Sequence, residues 1–227
     1  MAHVARCLVD DLQPDEIALS REALHHLRDV LRLRAGEPLE LVDGRGGLAH
    51  ALLAGDRARV QRRDPPEPAG TRPVRLAVAV PRLPRLEWLV EKACELGVAE
   101  LFPLLTRHGE RGVSDSRLPR LQRLADEALL QCRRLHRLRV HAPAALPELL
   151  ALPRAGSLWL AAPPAHGAGP PPRVGEGGVL ACVGPEGGFS DDEQRLLLGA
   201  GALPVSVGRT ILRVETAALA LAVLAAV

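Results

Sequence analysis

Tyrosine is absent from this chain, and two phenylalanines and two tryptophans are its whole supply of the large aromatics. So thin a supply excludes base stacking as the main way of holding a nucleic acid. Lysine is nearly absent too, with Lys92 alone in a Lys+Arg total of 29. Any contact with a nucleic acid is therefore left to shape and to backbone contacts made by arginine. Cysteine is scarce and dispersed: Cys7, Cys94, Cys132 and Cys182 form no CxxC pair and have no histidine cluster beside them. That spacing argues against a metal centre or a disulfide framework and fits a reducing cytosol. A signal peptide is missing from the start MAHVARCLVDD, and the longest apolar run, Thr216 to Val227, is too short to span a bilayer. A cytoplasmic protein with no membrane and no metal is expected. The net charge of +2 is too small to identify a nucleic-acid partner by itself.

What the chain does have is punctuation. Its 227 residues suffice for one large domain or two small ones. The segment Asp64 to Pro73, DPPEPAGTRP, holds four prolines and a glycine and reads as a linker. It separates a segment of residues 1–70 from a larger one of residues 73–227. In the first, strands are expected near Val4–Val9, Leu39–Val42, Leu48–Leu53 and Ala58–Gln61, with a helix over Arg21–Leu33. Asp43 to Gly47, DGRGG, makes a hairpin turn between two of the strands. Mostly short strands in so few residues predict a small barrel.

After the linker, strands alternate with helices. Strands are expected at Val74–Val80, Leu101–Leu105, Ser157–Ala161, Gly178–Val183 and Pro204–Val207. Helices are expected at Pro84–Leu96, Arg117–Arg134, Ser190–Ala200 and Val214–Ala226. That rhythm predicts an α/β domain on a mostly parallel sheet, with ligands at the carboxyl ends of the strands. Two irregular loops, GPEGG (Gly184–Gly188) and GRTILR (Gly208–Arg213), each follow a strand. GPEGG is no phosphate loop, because no Lys-Ser/Thr follows it and its spacing misses the dinucleotide fingerprint. Ser190 and Glu193 form a capping box, and Asp191 and Asp192 already answer the positive end of the helix. The loop admits a close approach to backbone by something other than a phosphate.

Basic residues cluster in two places. Arg117 to Arg139 contains seven arginines against Asp126 and Glu127. On the N-terminal helix, Arg21, His25, Arg28 and Arg32 share one stripe and Leu24, Leu27 and Leu31 the next. The apolar stripe is expected to pack on the barrel and the basic one to face outward, as an RNA surface or as a solvated face. Residues 1–70 hold ten Arg against twelve Asp+Glu, so only the clustering favours RNA.

The stretches EWLVEKACELGVAELFPL (Glu87–Leu104), EALLQCRR (Glu127–Arg134), VGPEGGFSDDE and VGRTILRVETAALA resemble, in that order, the signatures of the ribosomal RNA small subunit methyltransferase E (RsmE) family. HHLRDVLRLRAGEPLELVDGRGG (His25–Gly47) is similar to that family's PUA-like domain. The resemblance implies a SPOUT-type α/β domain whose C-terminal trefoil knot forms an S-adenosylmethionine (SAM) site, preceded by a PUA-like β-barrel. Sequence rules alone argue against a knot. It also implies a homodimer that methylates N3 of a uridine in 16S rRNA, within the small ribosomal subunit.

On this resemblance the cofactor residues are Leu160, Ala161, Val183, Gly184, Glu186, Gly187, Gly188, Val207, Gly208, Ile211, Leu212 and Thr216. Arg213, then Arg134, is the cation expected to favour the uridine anion. Glu215 and Glu186 are the candidate bases. Arg133 joins the N-terminal stripe as an RNA contact, and Lys92 is read as a structural charge on a helix face. The chain departs from the family at Thr106-Arg107-His108, where Ser-Glu-Arg is frequent, and at Gly208-Arg209-Thr210, where Gly-Pro-Arg is. A SPOUT enzyme acting on tRNA and a non-catalytic RNA-binding assembly factor stay open beside the rRNA methyltransferase. The apolar last helix, ETAALALAVLAAV, is expected to be half covered by a second subunit.

Overall fold

The computed structural model describes residues 4–109, 115–163 and 168–226. The chain forms two compact units, Met1–Ala69 with Leu129–Arg137, and Gly70–Ala128 with Leu138–Val227.

The first unit is built on β1 (Ala5–Leu8), β2 (Glu16–Ala18), β3 (Pro38–Val42), β4 (Leu48–Ala54) and β5 (Arg57–Arg63). They join in the order β1-β3-β4-β5-β2, with β1 and β3 parallel and every other pair antiparallel. Strand periodicity sets the register: Ala49, Ala51 and Leu53 alternate inward on β4, opposite Leu39 and Leu41 on β3. At the β3–β4 turn, Asp43 Oδ1 accepts from the N–H groups of Arg45 (2.7 Å) and Gly47 (2.9 Å). Gly46 there has φ +101°, and a Cβ would collide with the Glu67 carbonyl oxygen, so only glycine fits. The expected barrel takes the form of a sheet whose edge strands, β1 and β2, do not pair with each other among the described residues.

The expected helix over Arg21–Leu33 is shorter and changes type. Ser20 Oγ caps α1 (Arg21–His25) by accepting from Ala23 N–H at 3.1 Å. Residues His26–Val30 then form a π-turn, in which Leu31 N–H reaches His26 O at 2.9 Å. The wider turn breaks the 100° spacing on which the stripe was drawn. Leu27 stays fully buried, but Leu31 is 45% exposed, and Leu33 packs on the core instead.

The second unit contains β6 (Val74–Ala79), α2 (Leu83–Glu95), β7 (Glu100–Leu105), α3 (Leu118–Cys132), β8 (Arg139–Val140), β9 (Ala144–Ala145) and α4 (Leu146–Ala151). There follow β10 (Ser157–Ala161), β11 (Val179–Val183), α5 (Asp191–Gly199), β12 (Leu203–Val205) and α6 (Val214–Ala226). α3 runs on into the Leu129–Arg137 segment of the first unit. The sheet order is β12-β10-β11-β6-β7-β8, with β9 also on β7, and every pair is parallel. β11 is buried at all five residues, as expected for a parallel strand covered on both sides. α4 and α5 share a core with Phe102, Leu104, Leu158, Leu160, Leu180 and Cys182. α6 packs on β6, β11 and α2. Among the described residues no helix is long and apolar enough to cross a membrane.

Candidate active site

Parallel pairing brings the carboxyl ends of the central strands together. Leu160 on β10 lies opposite Cys182 on β11 and Pro204 on β12, and Ala161 lies opposite Val205. Val183 closes β11 opposite Val78 of β6. The loops leaving these ends are GPEGG after β11, residues 206–213 after β12, and Val80–Arg82 between β6 and α2.

Each loop is held by its own chemistry. Ser190 caps α5: its N–H donates to Glu193 Oε2 at 2.8 Å, and its Oγ accepts from Glu193 N–H at 3.4 Å. Glu193 also accepts from Arg107 N–H at 2.9 Å, and His108 Nδ1 lies 3.3 Å from the Gly188 carbonyl oxygen. The divergent Thr106-Arg107-His108 loop therefore braces GPEGG from the end of β7. A Cβ on Gly184 would come within 3.0 Å of the Phe189 ring. Gly208, at φ +98°, has nothing within 4 Å of where a Cβ would stand. Its glycine thus answers to backbone conformation and leaves open space beside it.

A cleft of about 470 Å³ opens at this end, lined by Arg82, Arg85, Glu186 and Arg213. Arg85 joins the two glutamates: Nη1 lies 3.4 Å from Glu186 Oε1, and Nε lies 3.7 Å from Glu215 Oε1. Glu215, in the first turn of α6, is the one charged residue among the buried side chains of the described residues, at 6% exposure. Its Oε2 is buried and has no hydrogen-bond partner. A buried carboxylate oxygen in that state costs on the order of 1–3 kcal/mol until a donor reaches it. The Arg213 side chain is exposed and makes no ion pair or hydrogen bond among the described residues, while its carbonyl oxygen accepts from Ala217 N–H at 2.9 Å. In the core shared with α4 and α5, burial pushes the Cys182 thiol up to about 12, which makes it packing and not a nucleophile.

The sheet gathers Leu160, Ala161, Val183 and the glycine loops to one end, and Glu186 and Arg213 to the cleft, with Glu215 paired to Arg85 of its lining. Ile211 is 88% exposed, and Thr216 is exposed at the start of α6. Arg133 and Arg134 belong to the first unit. There Arg133 pairs with Glu40 at 3.0 Å, beside Arg6 at 2.7 Å. In the proposed stripe, Arg21 and Arg32 are exposed, the latter with φ +57°. His25 pairs with Asp29 at 2.6 Å, and Arg28 donates to the Gly55 carbonyl oxygen at 2.5 Å. No three metal-ligating side chains group together among the described residues.

Sequence reasoning missed Arg82 and Arg85. Their only signal was two arginines around the start of a helix, where cations are disfavoured by the dipole.

A family model described as an RNA methyltransferase domain matches residues 68–226, and one described as an RNA methyltransferase PUA domain matches residues 19–60. A ribosomal RNA small subunit methyltransferase E of Synechocystis sp. is 34% identical over 216 residues, covering 88% of this chain and 69% of that protein. A solved putative methyltransferase of Legionella pneumophila, in complex with bound SAM, is similar at TM-score 0.84 and 28% identity, over 97% of this chain and 96% of that one. The ribosomal RNA small subunit methyltransferase E of Neisseria gonorrhoeae, bound to S-adenosyl methionine, gives TM-score 0.82 at 26% identity, over 97% and 95% of the two chains.

Proposed function

The chain belongs to the ribosomal RNA small subunit methyltransferase E family, and on that premise we propose that it methylates N3 of a uridine in 16S rRNA, using SAM. One observation carries the reading. Arg213 lines a cleft at the carboxyl ends of a parallel sheet, and Glu215, whose buried Oε2 has no partner among the described residues, adjoins that cleft through Arg85. That is where such folds bind ligands.

The residues fit the cofactor. Gly208 leaves open space beside backbone, and GPEGG leads to a helix whose first turn carries exposed Asp191, with Asp192 paired to Arg195. Leu160, Ala161, Val183, Gly184, Glu186, Gly187, Gly188, Val207, Gly208, Ile211, Leu212 and Thr216 would hold it. When bound, SAM supplies an activated methyl on sulfur. The trefoil knot belongs to this proposal, as the way the two loops come to lie together.

Uridine N3 is a weakly acidic imide and must lose its proton before it attacks. Glu215 Oε2 takes the N3 proton and passes it to solvent, while Arg213 stabilises the negative charge spread over the ring oxygens. Arg85 keeps the Glu215 carboxylate in place. Arg134 is the second candidate for the cation, from the first unit, whose exposed Arg21 and Arg32 contact RNA phosphates in this reading. Arg21→Glu with Arg32→Glu then flattens the salt dependence of RNA binding by about 0.7 per lost contact and leaves SAM affinity unchanged. An unaltered slope returns those residues to a solvated face.

The main test is nucleoside mass spectrometry of small-subunit rRNA from cells lacking the protein. Loss of one 3-methyluridine is expected. A full complement of 3-methyluridine, or a methyl missing from tRNA instead, would overturn the assignment.

A further inference from the structure

What holds GPEGG in one shape? Glycine has no side chain to pack and loses more conformational freedom on ordering than any other residue. A loop with Gly184, Gly187 and Gly188 among its five residues is therefore fixed by its ends and its hydrogen bonds. Its ends are secure, since Val183 and Phe189 are buried and Ser190 caps α5. Inside the loop, Gly188 N–H donates to the Pro185 carbonyl oxygen at 2.8 Å. From elsewhere in the chain, among the described residues, one side chain reaches the loop's backbone. His108 Nδ1 lies 3.3 Å from the Gly188 carbonyl oxygen, and a Cβ on Gly187 would stand 3.4 Å from His108 Cβ.

His108 is itself held in place. It belongs to the turn after β7, which Gly109 N–H closes on the Thr106 carbonyl oxygen at 3.3 Å. Arg107 N–H donates to Glu193 Oε1 at 2.9 Å, and Glu193 Oε2 accepts from Ser190 N–H at 2.8 Å. One carboxylate thus ties the turn to the cap of α5, and the imidazole makes a second tie, to GPEGG. A carbonyl oxygen only accepts, so this second tie needs the imidazole proton on Nδ1. The His108 side chain is exposed, so the contact lies outside the packed core. It also falls where the chain departs from the family's frequent Ser-Glu-Arg, so the contact is this chain's own.

We infer that His108 is a positioning residue for the cofactor, its Nδ1–H holding the Gly188 carbonyl oxygen so that GPEGG keeps the shape that receives SAM. The inference rests on the SAM-dependent methyltransferase reading and extends the cofactor site to a residue outside its loops. A loop ordered before the ligand arrives gives up less freedom on binding, which raises affinity. His108 has no bond to Arg213 or Glu215, so the chemical step does not depend on it.

The test uses the full chain with two replacements of similar size. His108→Asn keeps an N–H that can donate, and His108→Leu does not. SAM affinity is read by calorimetry, and methyl transfer to small ribosomal subunits is read at limiting and saturating SAM. His108→Leu should raise the Kd and the KM for SAM about fivefold, the scale of one neutral hydrogen bond. Its kcat at saturating SAM should stay within about twofold of wild type, as expected when only binding is lost. His108→Asn should keep SAM affinity within about twofold, because the donor is retained. The midpoint of urea unfolding should not move in either variant, since the side chain is exposed. Equal losses in the two variants would overturn the inference, because a contact made by bulk ignores the N–H. So would normal SAM affinity in His108→Leu, or a fall in its kcat at saturating SAM. SAM binding that follows this donor pattern, without methyl transfer to uridine, would uphold the inference and sink the uridine assignment. A wild-type protein that binds no SAM would sink both.

Discussion

Removing Arg85 should destabilise the protein through a group it does not share a helix with. Arg85→Ala strips the guanidinium from 3.7 Å beside Glu215, whose side chain is only 8% exposed. At that separation and an effective dielectric of about 20, the attraction is on the order of 4 kcal/mol. Arg85 is itself 37% exposed, so solvent screens the pair and about 2 kcal/mol is the expected net loss. The second partner, Glu186, is 61% exposed and adds little. The cost arises because an ionised carboxylate is left buried alone, so neutralising it should restore stability. Glu215→Gln in the Arg85→Ala background should recover more than half of the loss. Urea unfolding of the two single variants and the double variant forms a double-mutant cycle, with an expected coupling of at least about 1 kcal/mol. Additive effects, or a neutral Arg85→Ala, would refute the claim that Arg85 compensates Glu215.

Gly208→Ala places a Cβ in open space at φ +98°, so its only cost is backbone strain of about 1–2 kcal/mol, and it should weaken SAM binding in calorimetry by tenfold or more through the displaced loop. Normal SAM affinity would remove residues 206–213 from the cofactor site. Arg120 donates to Glu87 at 2.7 Å across α2 and α3 and holds that carboxyl below its usual range. A depressed value stabilises the fold above the unfolded carboxyl pKa of about 4.3, and the benefit fades as pH falls through the folded value. The deficit of Glu87→Gln in urea should thus be full at pH 7 and shrink below about pH 4; a deficit independent of pH would contradict it. On α6, Val223 and Leu224 are 45% and 46% exposed while Leu221 is fully buried. Val223→Asp with Leu224→Asp should therefore keep the fold and sediment as a monomer, against the dimer proposed for wild type, and unchanged sedimentation would dismiss α6 as the interface. Leu221→Asp reports only on folding.

What could be read from the sequence was what local chemistry dictates. Ser190 and Glu193 cap α5 as their spacing required. The alternation of Leu48–Ala54 set its buried face, and the family resemblance of VGPEGGFSDDE and ILRVETAALA holds. What was hidden depends on partners distant in the chain. The strand order β12-β10-β11-β6-β7-β8 leaves no mark in any one segment. β2, β8, β9 and α4 run three, two, two and six residues, too short for periodicity to register. The π-turn at His26–Val30 preserves helical composition while shifting its phase, so Leu31 leaves the apolar stripe although Arg28 and Arg32 stay exposed. Arg28 binds the Gly55 carbonyl oxygen. Arg85 acquired meaning only when α2 met the GPEGG loop and α6.

The proposed reaction is transfer of a methyl group to uridine N3 in the small subunit's RNA. The most direct measurement incubates the purified protein and isotopically labelled SAM with small ribosomal subunits from cells lacking the protein, and then identifies the labelled nucleoside by mass spectrometry. Label is expected in 3-methyluridine alone, lost with Arg213→Ala, while SAM still binds. Label on a ribose or in tRNA, or tight SAM binding with no transfer to subunits, would contradict it.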